Sequence, residues 1–195
     1  PMVVRIVILV VFLLNAMGSG AQAPKFDVLR KGLLRGHLSI SPGLMLNSDL
    51  TNIYLNGGCE YLLGDRISFA GNAYWFINSQ QKGKWLKNNS SVMWGFRYHF
   101  PVLKKKLDTY IGFEPGVGFV QASAGDAVST LKPTPLLSGT AGIAFHVWKI
   151  FNFFAEARYV YGEHSTAWNE TYKLDEIRIS AGLGWNLNLI RKKKE

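Results

Sequence analysis

The sequence predicts an all-β protein, an eight-stranded antiparallel transmembrane β-barrel preceded by a cleavable signal peptide. Three observations predict it. From about residue 32 to residue 188 the side chains alternate between an apolar and a polar, Gly-rich face, as they do along extended strands. A secretory-type segment precedes that region. The polar face carries matched Arg and Glu rather than Lys. Ser90 to Phe100 shows the period most cleanly: Val92, Trp94, Phe96, Tyr98 and Phe100 share one side, and Met93, Gly95, Arg97 and His99 share the other.

Met2 to Ala23 reads as the signal peptide. Arg5 is its positive n-region, Ile6 to Leu14 its short apolar run, and Ala21-Gln22-Ala23 its small-residue cleavage site. That run is shorter than the roughly 20 residues a bilayer-spanning helix needs. Residues 1–23 are therefore expected to be removed, 24–190 to form a single barrel domain, and 191–195 to be a basic periplasmic tail. No later stretch is apolar enough for a membrane helix, so a membrane role falls to strands. Cys59 is the single cysteine, which excludes a disulfide framework or thiol pair, and its register places it on the apolar face. The net charge of +9 is concentrated in Lys104 to Lys106 and Lys192 to Lys194, solvated ends that do not amount to a nucleic-acid surface.

Eight strands follow in order, near 32–46, 52–63, 66–78, 90–101, 108–121, 135–148, 151–162 and 174–188. Short turns at 63–66, 104–106 and 148–150 alternate with longer polar connections at 79–89, 122–134 and 163–173, and a smaller one at 47–51. An even strand count with short turns at one end and long loops at the other is the outer-membrane plan, with both termini periplasmic.

Alternation alone does not say which face is inside. The cations within strand bodies are Arg35, Arg97, Arg158 and Arg178, and Glu60, Glu114, Glu156 and Glu176 share their face, so the two sets balance. Arg is the cation suited to pairing carboxylates in a restricted space. Turned toward lipid, each Arg would cost about 2–4 kcal/mol at the bilayer midplane. The same face holds Gly58, Gly95, Gly112, Gly116, Gly142 and Gly182, small neighbours that a crowded interior needs. The polar face is therefore read as the lumen. Eight strands enclose an interior just wide enough for side chains to fill, so the eight charges are expected to pair across it and plug it. His37, His99 and His146 fall on the same face and are read as lumen hydrogen-bonding groups, with no metal site and no cofactor.

The chain resembles the small outer-membrane barrels of the OmpA-like superfamily. It is most similar to the "outer membrane protein β-barrel domain" proteins, often labelled porin family, of Bacteroidota. The carriers are the hairpin Tyr61-Leu62-Leu63-Gly64-Asp65-Arg66-Ile67-Ser68-Phe69, the strand Ile111 to Gly118, and the closing strand Ile179 to Trp185. The resemblance spans the mature chain and implies an architecture rather than an activity. Its implied partners are outer-membrane lipid, lipopolysaccharide and the barrel-insertion machinery.

Three functions are open on the sequence. The first is a non-enzymatic structural or surface-interaction barrel. Its candidate binding loop carries Lys82, Lys84, Trp85 and Lys87, joined by Trp168 in the last loop, and would meet an extracellular ligand. The second is a small porin. The third, remote, is a lipid A-modifying enzyme built on Glu163-His164-Ser165-Thr166. Against it, His164 and Ser165 are adjacent on a strand and so point to opposite faces.

Overall fold

The computed structural model describes residues 29–48, 50–80, 86–102, 106–124, 127–148, 150–165 and 171–189. The strands are β1 (Leu33–Met45), β2 (Thr51–Leu62), β3 (Ile67–Gln80), β4 (Leu86–Val102), β5 (Leu107–Ala124), β6 (Ala127–Val128), β7 (Lys132–His146), β8 (Phe151–Ser165), β9 (Thr171–Lys173) and β10 (Glu176–Asn188). Eight of them are long; β6 and β9 are short extensions paired on β5 and β8. The long strands run antiparallel in the order β10-β1-β2-β3-β4-β5-β7-β8, and β8 pairs back onto β10. The sheet is closed, which removes the exposed strand edges that an open sheet presents. The expected signal segment 1–23 and expected tail 191–195, and Lys82, Lys84, Trp85 and Trp168, lie outside the described residues.

On β8 alternation holds to the residue. Along β8, every second side chain from Asn152 to His164 is buried and every intervening one is exposed. Outward positions include Trp75, Trp94, Phe96, Phe113, Phe153 and Leu183, an apolar skin on a protein whose interior is polar. That inversion is the reverse of a water-soluble core and the arrangement of a transmembrane barrel. Cys59 is on the outside, as its register requires.

Strands run further toward the long-loop end than the period of two indicates. The expected loop at 79–89 is partly sheet, and Lys87 lies on β4 rather than in a loop. Two register irregularities explain this, one opposite Ile53/Tyr54 on β3 and one at Leu86/Asn88 on β4. A bulge inserts a residue and flips the parity of everything beyond it, so the alternation breaks although the pairing continues. On β7 the turn-forming Pro133 and Pro135 are paired with Phe119 and Val117 of β5, and the strand begins at Lys132 instead of 135.

Apolar side chains gather at both ends of the interior. Leu29, Leu33 and Leu62 cluster at the short-turn end. Gly32 shapes this cluster: its φ of 82° lies in the left-handed region, and its N–H donates to the Leu62 carbonyl at 2.9 Å. At the long-loop end, Leu86, Met93, Val120, Leu136, Val160 and Leu174 form a second cluster, with Met45 against it.

Candidate functional site

Between the two apolar clusters, buried charged side chains from six of the eight long strands meet at three depths. Nearest the short-turn end, Arg35 on β1 places Nη1 2.6 Å from Asp108 Oδ2 on β5 and 3.7 Å from Glu60 Oε2 on β2. His99 on β4 sits between the same two carboxylates, Nε2 2.9 Å from Glu60 and Nδ1 2.9 Å from Asp108. His146 is 3.4 Å from Arg35 through Nε2 and 3.4 Å from Asn186 through Nδ1.

At mid-depth, two Arg and two Glu form a closed four-membered set. Arg97 reaches Glu114 at 2.8 Å and Glu156 at 2.9 Å, and Arg158 reaches the same two carboxylates at 2.8 and 2.9 Å. Asn72 donates to Glu114 at 2.7 Å, and the Tyr110 hydroxyl donates to Glu156 at 3.0 Å. Gly142 makes this possible, because a Cβ there would collide with the Tyr110 ring.

Toward the long-loop end, Arg178 and Glu176, two apart on β10, pair at 2.7 Å. Glu176 also accepts from Asn52 at 2.8 Å and from Tyr54 at 2.9 Å. A side chain at Gly43 would meet Glu176 and Tyr54, so glycine leaves the room they fill.

Each depth holds one contact between strands four places apart around the eight-strand ring, that is, across its full width. These are Arg35 to Asp108 (β1 to β5, 2.6 Å), Arg158 Nε to Tyr74 (β8 to β3, 3.1 Å) and Arg178 Nη1 to Ser91 (β10 to β4, 2.7 Å). The rings of Tyr54, Tyr74 and Tyr110 lie under the guanidiniums. Arg178 is 4.2 Å from the Tyr54 centroid and 4.7 Å from that of Tyr74, and Arg97 is 4.8 Å from that of Tyr110. Such cation–π stacking is attractive where the cation has lost its water.

The structure brings all eight of the sequence-derived charges, Arg35, Glu60, Arg97, Glu114, Glu156, Arg158, Glu176 and Arg178, into this interior. It adds one the sequence reading left out. Asp108 has the same strand parity as Glu114, six residues on, and so was legible as a lumen carboxylate; it stands at the start of its strand, next to a turn. Counting it, four Arg face five carboxylates, so the expected balance is short by one positive charge. A His99 ring protonated on both nitrogens would donate to Glu60 and Asp108 together and make the sum neutral. Tyr54, Tyr74 and Tyr110 were also missed. Aromatic residues read as apolar by pattern, yet the parity of these three is that of the polar face.

His37 points inward as expected, its ring 4.8 Å from that of Phe154. On this side of the lumen several buried atoms have no hydrogen-bond partner among the described residues: His37 Nε2, Ser39 Oγ, Asn56 Oδ1 and Asn72 Oδ1. Register makes them neighbours, since Ser39 pairs Asn56, His37 pairs Gly58, and Gly58 pairs Asn72. His164 is buried at the long-loop end and exchanges a 2.8 Å hydrogen bond with Thr134, while Ser165 faces outward. Among the described residues no group of three or more His, Cys, Asp or Glu is placed to hold a metal ion.

No family model and no curated protein sequence matches this chain. Solved structures do. The barrel superposes on neisserial surface protein A (NspA) with a TM-score of 0.61 at 15% identity, covering 78% of this chain and 95% of that one. It superposes on the outer membrane protein OprG of Pseudomonas aeruginosa with a TM-score of 0.59 at 11% identity, covering 84% and 100%. A third match is Ail, the attachment invasion locus protein of Yersinia pestis, with a TM-score of 0.52 at 12% identity and coverage of 80% and 99%. The chain thus has the all-β fold of the small, eight-stranded outer-membrane barrels.

Proposed function

We propose that this chain is a non-enzymatic barrel of the bacterial outer membrane whose lumen is closed, and which acts through its long-loop end as a structural or surface-interaction protein. The observation that carries the reading is the set of three contacts that cross the full width of the barrel at three depths. Around them the ionic groups pair with one another, and an apolar cluster lies at either end. A path for ions would have to pass both clusters and run beside the Arg–Glu set. Surface attachment is the use named for one structural neighbour, the attachment invasion locus protein, and the basic Lys82 and Lys84 with the aromatic Trp85 and Trp168, read from the sequence as loop residues, suit the same use here. In this reading the signal segment delivers the chain through the inner membrane, and the insertion machinery places it with its short turns in the periplasm.

A small porin is the second reading, and one observation favours it. The unpartnered atoms of His37, Ser39, Asn56 and Asn72 lie together on the β1–β3 wall, and buried polar atoms of this kind are normally satisfied by water. Single-channel recording separates the two. Refolded protein, shown folded by its heat-modifiable gel mobility, is expected to give no conductance steps in a planar bilayer. Steady ion-conducting steps would replace the closed reading with the porin.

A further inference from the structure

The charges outside the lumen are divided unequally between the two ends of the barrel. Strand order assigns Arg30, Lys31, Arg66, Lys149 and the basic runs 104–106 and 191–194 to the short-turn end, against the carboxylates Asp65 and Glu195. Their sum is +9, as large as the net charge of the whole chain, and Lys25 and Asp27 ahead of them cancel. At the long-loop end five lysines meet five carboxylates, Asp49, Asp126, Glu163, Glu170 and Asp175, and the sum is zero.

The basic end begins at an aromatic belt. Tyr98, Phe100, Phe151 and Trp185 are exposed on the outer surface near the short turns. The Tyr98 and Phe100 rings lie 4.8 Å apart, and Trp148 stands edge-on to Phe151 at 6.4 Å. In a transmembrane barrel such a girdle marks the level of the lipid headgroups. Arg66 reaches back to it, its Nη1 donating to the Tyr98 hydroxyl at 3.3 Å. Lys106 is three residues from Thr109, the partner of Phe100, which is about 10 Å along a strand. Lys31 and Arg66 are exposed, and Lys106 is half-buried.

The way the charge is spread selects among anionic partners. Cations stand in the lead into β1, in the β2–β3, β4–β5 and β7–β8 turns, and in the chain past β10. That last segment leaves from the same end, where Leu189 N–H donates to the Gly32 carbonyl at 3.1 Å. A folded acidic protein would cover one side of such a rim, whereas headgroups surround it. Clusters of roughly 4–8 Lys and Arg beside a membrane segment are the pattern that anionic lipid attracts.

We infer that the short-turn rim binds anionic phospholipid headgroups, with Lys31, Arg66 and Lys106 among the cations that meet their phosphates, and that the long-loop rim has no such preference. In the orientation proposed above, that leaflet faces the periplasm. The inference goes beyond surface interaction through the loops. It concerns the opposite end of the barrel and is indifferent to whether the lumen conducts.

The test uses the refolded barrel in phosphatidylcholine nanodiscs with rising fractions of phosphatidylglycerol, followed by backbone amide NMR. The amides of Lys31, Arg66 and Lys106 are expected to shift and saturate, while those of Lys87, Lys132 and Lys173 at the other end move little. Spin-labelled lipids read the preference itself. Phosphatidylglycerol should be held roughly fivefold more strongly than phosphatidylcholine at low salt, the size of one cation's attraction to an anionic surface. The ratio should fall toward one in 1 M NaCl, where charges are screened within about 3 Å. Replacing Lys31→Gln, Arg66→Gln and Lys106→Gln together should lower the ratio by about half, and Lys87→Gln, Lys132→Gln and Lys173→Gln together should leave it unchanged. Heat-modifiable gel mobility confirms that each variant has folded. Amide shifts of equal size at both ends, an equal fall in both variants, or a ratio that is one or insensitive to salt would overturn the rim. Hepta-glutamate that shifts the short-turn amides in pure phosphatidylcholine nanodiscs, where phosphatidylglycerol has no effect, would assign the rim to an acidic protein and overturn the lipid.

Discussion

At mid-depth, the two walls of the lumen are built on different principles. On the β4, β5 and β8 side, Arg97, Glu114, Glu156 and Arg158 each meet two partners of opposite sign. Across from them, His37, Ser39, Asn56 and Asn72 on β1–β3 present polar atoms that nothing among the described residues answers, next to Gly58 and opposite Gly182 and Gly184. An interior of this size thus treats its charged and uncharged polar groups differently. Buried charges are tolerated only when each is paired and further hydrogen-bonded. Uncharged groups lose far less and can be left to a water. Closure is therefore expected to depend on the charged wall and hydration on the other.

The largest expected effect comes from breaking the charged wall at its shared member. Glu114→Ala leaves Arg97 and Arg158 each short of a carboxylate and Asn72 without its acceptor. Removing one partner of a buried pair costs about 3–5 kcal/mol, so urea unfolding in lipid vesicles should show a loss of that size. A loss below about 1 kcal/mol would mean that water already screens these groups. The neighbouring position gives the next largest effect. Phe113 is outward and Glu114 inward on the same strand, so Phe113→Arg puts a cation into lipid and should cost about 2–4 kcal/mol at the bilayer midplane. The same unfolding assay reads it, and a neutral result would mean that the faces are assigned the wrong way round.

On the uncharged wall, Ser39→Ala removes a hydroxyl with no protein partner among the described residues and should change stability by less than about 1 kcal/mol. A loss comparable to that of Glu114→Ala would erase the distinction between the walls. Labelling should show no effect on stability and a simple contrast in access. Cys59 is exposed on the outer surface, so a membrane-permeant maleimide should label it in vesicles while a membrane-impermeant one does not. Labelling by the impermeant reagent alone would place Cys59 outside the membrane.

Much of this was legible from parity. A period of two assigned Arg35, Arg97, Arg158, Arg178 and their four Glu to one face, and a closed sheet of eight strands makes that face an interior. Parity also marks Asp108, Tyr54, Tyr74 and Tyr110 as inward, although the sequence reading names none of them. The partner of each Arg was not legible. Pairing across a barrel depends on the stagger of its strands, which alternation does not encode. Thus Arg35 meets Asp108 73 positions away at 2.6 Å, closer than Glu60 on the adjacent strand at 3.7 Å. The loop-end boundaries were hidden for a further reason, since bulges on β3 and β4 reverse the parity just where polar residues appear on both faces.

A closed lumen requires that its guanidiniums be shut off from a continuous water path. The most direct measurement is hydrogen exchange of the Arg Nε–H protons by NMR in phospholipid nanodiscs. Arg97, Arg158 and Arg178 each donate through Nε to a buried acceptor, while Arg66 is exposed on the β2–β3 turn, donates through Nη1 to the Tyr98 hydroxyl at 3.3 Å, and serves as the solvent-exposed reference. The three buried protons are expected to exchange much more slowly than that of Arg66. Exchange at the rate of Arg66 would show water running through the charged layers and would contradict a closed lumen.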